Sequence, residues 1–389
     1  MRVTSPLFAL VAGEASGDNL GAALIGAIRA RVPGARFIGI AGPRMREAGC
    51  EALGSSDELA LMGLAEILRH LPRLLRLRQR LLRELVARDP AVFIGIDAPE
   101  FNLRLAKQLK SRGIATVQYV SPQVWAWRQG RVRGIAAACD RILCLLPFES
   151  AFYARHGIEA RFVGHPLADQ FPLEPDRAAA RAALGVDPAA TVVAILPGSR
   201  MGEVSRLAAP FAATAAWLAA RRPELQFLAP LVNAATRARF EAELAAGPPI
   251  RCIDGQSRRV LAAADVVLTA SGTATLETLL SRRPMVVAYK LAPLTVLLLR
   301  WLGLVKVRHF AQPNLLVGRE VVPEFFQEAV VPEALGAAVL RWLDRPAELA
   351  ALEQAFAAVH HELRRGGASL AAEAVLELLP TDEPQRSQG

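Results

Sequence analysis

Cysteine is scarce in this chain of 389 residues: Cys50, Cys139, Cys144 and Cys252 are the only four, with no CxxC pair and no histidine at metal-ligand spacing. That excludes a disulfide framework and a cysteine-based zinc site, and makes a reducing cytosol the expected compartment. Long apolar runs are missing as well. The opening segment MRVTSPLFALVAGEASGD passes from a short apolar run straight into Gly, Glu and Asp. It lacks the h-region and cleavage site of a signal peptide and reads as a buried first strand. The most apolar later stretch, 291–305, is broken by Pro293 and Arg300. It falls short of the roughly 20 residues that span a bilayer. Neither a G-x-G-x-x-G fingerprint nor a GxxxxGK[ST] loop occurs. There is no Asp-x-Asp either; a metal-bridged sugar nucleotide calls for paired carboxylates, so a metal-free site is expected.

What is present is apolar and basic. Hydrophobic residues make up 52% and charged residues 21%, which excludes a disordered chain. Lys and Arg number 46 against 37 Asp and Glu, a net charge of +9. The surplus favours nucleic acid, phosphorylated ligands or an acidic membrane surface, without choosing among them. The length suits two domains.

Short β-rich runs alternate with helical patterns. Strands are expected at 7–12, 36–40, 92–96, 116–120, 141–145 and 161–163, and again at 192–196, 226–229, 250–253, 266–269 and 285–288. Continuous apolar strands separated by helices imply parallel sheets covered on both faces, hence an α/β chain with two doubly wound domains. The Pro-rich stretch after Gly164-His165-Pro166 marks the seam. The expected division is 1–170, 171–345 and a helical 346–389 with a frayed tail.

Ligands of open α/β sheets bind at the carboxyl ends of the strands, and several segments there carry polar chemistry. In the second half, Gly198-Ser199-Arg200 follows a strand, and Arg200 either forks onto a phosphate or is simply solvated. Ser271-Gly272-Thr273 opens a helix and offers free N–H groups to an anion, with Glu277 placed to reach a ribose; plain N-capping is the rival reading. Asn314 and Gln327 lie in polar segments and could hold a ligand by their amides, a weak signal in isolation.

In the first half, Gly13–Asp18 is too acidic for phosphate and suits a hydroxyl-rich acceptor touching Glu14, Ser16 or Asp18, or serves as a cap. Asp97 ends a buried strand; it is either a general base with a raised pKa or the cap of the helix starting near Pro99. The segment 121–128 carries Gln123, Trp125 and Trp127, whose rings stack on a sugar or pack beneath a helix. Segment 59–88 sets leucines, among them Leu64, Ile67, Leu68, Leu71, Leu74 and Leu75, at helical spacing among arginines, with Pro72 starting or kinking a second helix. Such a helix lies on an anionic membrane or covers the sheet, and the net charge favours the membrane.

Together AGEASGD (12–18), GIDAPEFN (95–102), SPQVWAWR (121–128), VGHP (163–166), LPGSR (196–200), SGTATLE (271–277), PMVVAYK (284–290) and PNLLVGRE (313–320) resemble the lipid-A-disaccharide synthase family, glycosyltransferase family 19. The chain departs from the family pattern at Gln312, where a leucine is expected. The resemblance implies a GT-B architecture, two Rossmann-like domains facing across a cleft, with the C-terminal helices packing back toward the first domain or a partner subunit. It implies transfer of 2,3-diacylglucosamine from its UDP derivative to the 6-hydroxyl of 2,3-diacylglucosamine 1-phosphate (lipid X), inverting and metal-independent, with no cofactor. On that basis Asp97 is the expected base with Glu14 in reserve. Gly198, Ser199, Arg200, Ser271, Gly272, Thr273, Glu277, Asn314 and Gln327 are assigned to the donor, and Ser16, Asp18, Gln123 and Trp125 to the acceptor. Acylated substrates imply a peripheral protein on the cytoplasmic face of a Gram-negative inner membrane, the 59–88 segment and 294–304 meeting lipid. Nucleic acid is not an expected partner, and a homodimer is an open possibility. The rival readings are another UDP-sugar enzyme, such as a UDP-GlcNAc 2-epimerase, or a non-catalytic nucleotide-sugar binder at a membrane.

Overall fold

The computed structural model describes residues 5–59, 64–127, 129–244, 247–292 and 309–380; the side chains of 64–71, 126, 127 and 129 are outside the description. The chain divides into two compact units, one of Met1–Asp169 with Leu363–Gly389 and the other of Gln170–Glu362.

The first unit is built on a seven-stranded parallel sheet in the order β3-β2-β1-β4-β5-β6-β7. These strands are β1 (Leu7–Ala12), β2 (Arg36–Ala41), β3 (Cys50–Ser55), β4 (Val92–Ile96), β5 (Ala115–Tyr119), β6 (Arg141–Cys144) and β7 (Ala160–Phe162). Strand β1 shows why the sheet is sandwiched. Phe8, Leu10 and Ala12 pack with Leu24, Ile25 and Ile28 of helix Ala15–Arg31 on one face. Ala9 and Val11 pack with Leu81 and Leu85 of helix Leu64–Arg88 on the other. With successive side chains on opposite faces, a strand buried on both sides must be apolar throughout. Helix Gly367–Leu376 joins the first face through Ala371, Ala372 and Val375.

The second unit holds a six-stranded parallel sheet, β10-β9-β8-β11-β12-β13. Its members are β8 (Val192–Leu196), β9 (Gln226–Leu231), β10 (Ile250–Asp254), β11 (Val266–Ala270), β12 (Met285–Tyr289) and β13 (Glu324–Phe326). Helix Met201–Ala219 packs against helix Pro332–Asp344, where a Cβ on Gly336 would come within 2.6 Å of the Trp217 ring, so only glycine permits the approach.

Strand order reverses between β1 and β4 in the first sheet and between β8 and β11 in the second, and each reversal opens a crevice at the carboxyl ends of those strands. The strands flanking each reversal pair directly up to their ends: Ala12 lies beside Ile96, and Leu196 beside Thr269.

Several expectations are corrected. Strands β3 and β13 were not expected; both are sheet edges, and CEALGS and EFF lack the continuous apolar run of a central strand. The basic leucine segment forms one helix, Leu64–Arg88, with Pro72 inside it, not a pair. The helical region 346–389 is divided: Pro346–Leu363 belongs almost entirely to the second unit, and Gly367–Leu376 packs on Ala15–Arg31 in the first. The return to the first unit is pinned by Asp169, which accepts the N–H groups of Gly366 and Gly367 at 2.9 and 2.8 Å. Gly164, at φ +88°, lies so close to Leu363 that a Cβ would fall 2.7 Å from its carbonyl oxygen. That contact accounts for the glycine of VGHP.

Candidate active site

The crevice of the second unit is a cavity of about 340 Å³ lined by Gly198, Ser199, Arg200, Ser271, Gly272, Thr273 and Glu277, all singled out from the sequence. Helix Thr273–Leu280 begins there behind Gly272, whose φ of +149° is a backbone state that L side chains rarely adopt. Among the described residues no acceptor meets the N–H groups of Thr273 and Ala274, so the partial positive charge of the helix start faces the cavity. Arg200 is exposed and has no ion-pair partner among the described residues. Burial raises the pKa of Glu277, and the nearby Arg258 opposes the shift. The cavity thus offers two sources of positive charge and two half-buried carboxylates, Glu277 and Glu203.

At the Gly198–Arg200 turn the backbone is already committed. The N–H groups of Ser199 and Arg200 are already taken, at 3.1 and 3.3 Å, by Oε2 of Glu203. At this turn the group left open to an anion is the Arg200 side chain and not the backbone. Glu203, Pro230, Val232 and Ser257 also line the cavity and were not identified from sequence. The acid three residues after Arg200 is a helix-start signal that could have revealed Glu203. Pro230 and Val232 come from the end of β9, and Ser257 opens helix Ser257–Ala263 after β10; these segments carry no motif.

In the first unit the crevice is strained. Asp97 and Ala98 are consecutive non-glycine residues in the left-handed region, at φ +52° and +40°. Such conformations persist only where surrounding contacts hold them, and they cluster at functional sites. Here the Asp97 carbonyl accepts Asn102 Nδ2 at 2.8 Å and Gln118 Nε2 at 3.1 Å. Gly13 leaves room for Ala98, since a Cβ there would lie 2.6 Å from the Ala98 Cβ. The Asp97 carboxyl is pushed above the ordinary carboxylate range, first by burial and then by the charge of Glu14, while Ser16 Oγ donates to it at 3.4 Å and opposes the rise. Glu14 and Ser16, just beyond β1, thus meet Asp97, just beyond β4.

The family model described as lipid-A-disaccharide synthetase matches residues 8–375. The chain belongs to the lipid-A-disaccharide synthase family. A lipid-A-disaccharide synthase of Xanthomonas oryzae pv. oryzae is 52% identical, the alignment covering 96% of this chain and 88% of that one. Another, of Alkalilimnicola ehrlichii, is 54% identical over 95% of this chain and 97% of its own. Among solved structures, the glycotransferase of kitacinnamycin superposes with a TM-score of 0.65 at 21% identity, covering 97% of this chain and 100% of that one. The UDP-GlcNAc 2-epimerase of Neisseria meningitidis, bound to UDP-GlcNAc, gives 0.62 at 11%, covering 95% and 100%. The fold is therefore the GT-B type, and the chain is a glycosyltransferase of lipid A biosynthesis, as membership of the family entails.

Two residues assigned to ligands from the family's motifs have their hydrogen bonds taken within the fold. Asp18 is 3% exposed and accepts the N–H groups of Gly42, Arg44 and Met45 at 2.9, 2.8 and 3.0 Å, capping helix Pro43–Glu47. Asn314 is fully buried: its Nδ2 donates to Val322 O and Glu324 Oε1, and its Oδ1 accepts Val321 N and Val322 N. All four of its hydrogen-bonding positions are used, so it shapes the loop and has none left for a ligand. Gln327 accepts Leu291 N at 2.9 Å and lies outside the cavity lining. Gln123 is exposed, whereas Trp125 is half-buried, its indole donating to Glu149 at 3.1 Å. On helix Leu64–Arg88, Leu74 and Leu75 are half-buried; the side chains of Leu64, Ile67, Leu68 and Leu71 lie outside the described residues, as do Trp127 and 294–304. Among the described residues no helix is long and apolar enough to cross a membrane.

Proposed function

We propose that the enzyme transfers 2,3-diacylglucosamine from UDP to the 6-hydroxyl of 2,3-diacylglucosamine 1-phosphate, inverting the anomeric carbon and using no metal. The bond from C1 to the acceptor oxygen forms as the bond from C1 to the diphosphate oxygen breaks, and that electron pair leaves with UDP. Charge grows on the diphosphate in the transition state, and positive groups already aimed at it lower the barrier. Arg200 and the helix start at Thr273 supply that charge in place of a magnesium ion, while Glu277 accepts the ribose hydroxyls. Asp97 takes the proton of the 6-hydroxyl; its burial makes it a better base near neutral pH than a solvated carboxylate. Glu14 keeps the reserve role, and Ser16, Gln123 and Trp125 meet the acceptor.

The observation that carries this reading is the convergence of Arg200, the helix start and Glu277 on one cavity at the strand-order reversal. Both substrates carry acyl chains, so helix Leu64–Arg88 docks on an anionic membrane through Leu74 and Leu75, placing the enzyme at the inner face of the inner membrane. The test is incubation of purified protein with both lipids in detergent and EDTA, with mass analysis of the product. A disaccharide 1-phosphate and stoichiometric UDP are expected. Absence of the disaccharide, or turnover only of a water-soluble UDP-sugar, overturns the assignment.

A further inference from the structure

Glu149, on helix Pro147–Ala154, is 3% exposed and plays no part in the chemistry above. Its Oε2 accepts the N–H of Leu146 at 3.1 Å, a local cap of its own helix. Its Oε1 accepts the Trp125 indole N–H at 3.1 Å, a contact that reaches back to the segment after β5. The neighbouring Phe148 sets its ring edge-on to Trp125, centroids 4.9 Å apart, so two consecutive residues of one helical turn grip the indole. That segment adjoins Asp97: the Asp97 N–H donates to Tyr119 O at the end of β5, and Gln118 of β5 holds the Asp97 carbonyl.

We propose that Glu149 is a positioning residue whose carboxylate latches Trp125, and with it the segment after β5, and that uptake of a proton opens the latch. The functional half of this rests on the reading that the segment meets the acceptor. Each carboxylate oxygen faces an N–H donor, so a proton on either one removes the negative charge that strengthens both bonds and occupies a lone pair beside one of them. The cap spans three residues within one helix and is kept; the long-range contact gives way. The ionisable groups facing Glu149 are Cys144 at the end of β6 and Tyr153 one turn further along its helix, both held neutral by burial. The Ser121 hydroxyl and the Leu145 backbone also approach, and no cation among the described residues pairs with the carboxylate. Burial lifts its pKa to about 7, against the opposing pull of these hydrogen bonds, so the latch is closed above neutrality and opens below it.

Two measurements on the full-length protein test this. The indole N–H resonance of Trp125, assigned by its loss in Trp125→Phe, is followed from acid to alkaline pH, and the KM for the acceptor is measured in parallel. The expected result is a step in that resonance near pH 7 in the wild type and none in Glu149→Gln. Glutamine offers one acceptor oxygen where two are needed. Its acceptor KM should rise about threefold to tenfold, the range for one lost hydrogen bond, with kcat and donor KM nearly unchanged. If Glu149→Gln fails to fold, the wild type alone decides: the step in the Trp125 resonance must coincide in pH with a rise in acceptor KM on the acid side, and a step without that coincidence overturns the functional half. A wild-type resonance without a step, or a step that survives in Glu149→Gln, overturns the latch. A step abolished by Glu149→Gln with no change in acceptor KM confirms the latch and removes the acceptor from this segment.

Discussion

Replacing Asp97 by asparagine removes the carboxylate while leaving its surroundings nearly unaltered. Asparagine tolerates the left-handed backbone at φ +52° better than most residues, and its amide oxygen can still accept from Ser16. The two bonds to the Asp97 carbonyl come from Asn102 and Gln118 and do not involve the side chain. The loss is therefore chemical. General-base catalysis typically contributes about 10²–10⁴ in rate, which is roughly 3–5 kcal/mol of barrier. The expected result is a fall in kcat of that size with the donor KM within about threefold of wild type. The pH profile supplies an independent sign. The base works only when ionised, so wild-type kcat falls as pH drops through a pKa raised by burial and Glu14, and this acid limb should vanish in the variant. Stability should move the other way. A carboxyl whose folded pKa exceeds its unfolded value destabilises the fold at pH above both, so at pH about 8 the variant should melt no lower than wild type. A kcat near that of wild type, or an unchanged acid limb, refutes the assignment of Asp97 as base.

Three further outcomes are expected. Arg200→Ala should cut kcat/KM for the donor by roughly 10- to 100-fold, the value of a hydrogen bond to a charged group, while the acceptor KM stays put; unchanged donor kinetics would remove Arg200 from the cavity's work. Asn314→Ala should lower the unfolding free energy by about 2–3 kcal/mol by stripping partners from buried backbone groups. Chemical denaturation measures this, and a stable variant with a raised donor KM would restore the ligand role. Leu74→Glu combined with Leu75→Glu should reduce sedimentation with anionic vesicles while circular dichroism stays native, because both residues are only half-buried; loss of the fold would mean that they serve the core, as Leu81 and Leu85 do.

Two parallel α/β sheets were legible from periodicity because buried strands such as VFIGI and VVAIL are apolar without interruption. Of the four edge strands, β7 and β10 were legible while β3 and β13 were not, since CEALGS and EFF lack the apolar run that marks a strand and are held by pairing more than by pattern. The same contrast runs through the site. Gly198–Arg200, Ser271–Thr273 and Glu277 could be found because each sits just beyond a recognisable strand, and parallel topology sends all such turns to one edge.

What the amino-acid order alone determined, then, was the fold class, the family and the strand ends at which chemistry collects, for these depend on local pattern and short contiguous motifs. Only the tertiary structure decided which polar residues at those ends are free. Asp18 and Asn314 sit in motifs as clearly marked as Arg200, yet backbone N–H and carbonyl groups many residues away consume their hydrogen bonds. Glu149 belonged to no motif and proved to hold Trp125. A buried polar side chain must find its partners wherever the fold brings them, and that pairing is a property of three-dimensional packing which the linear order does not display.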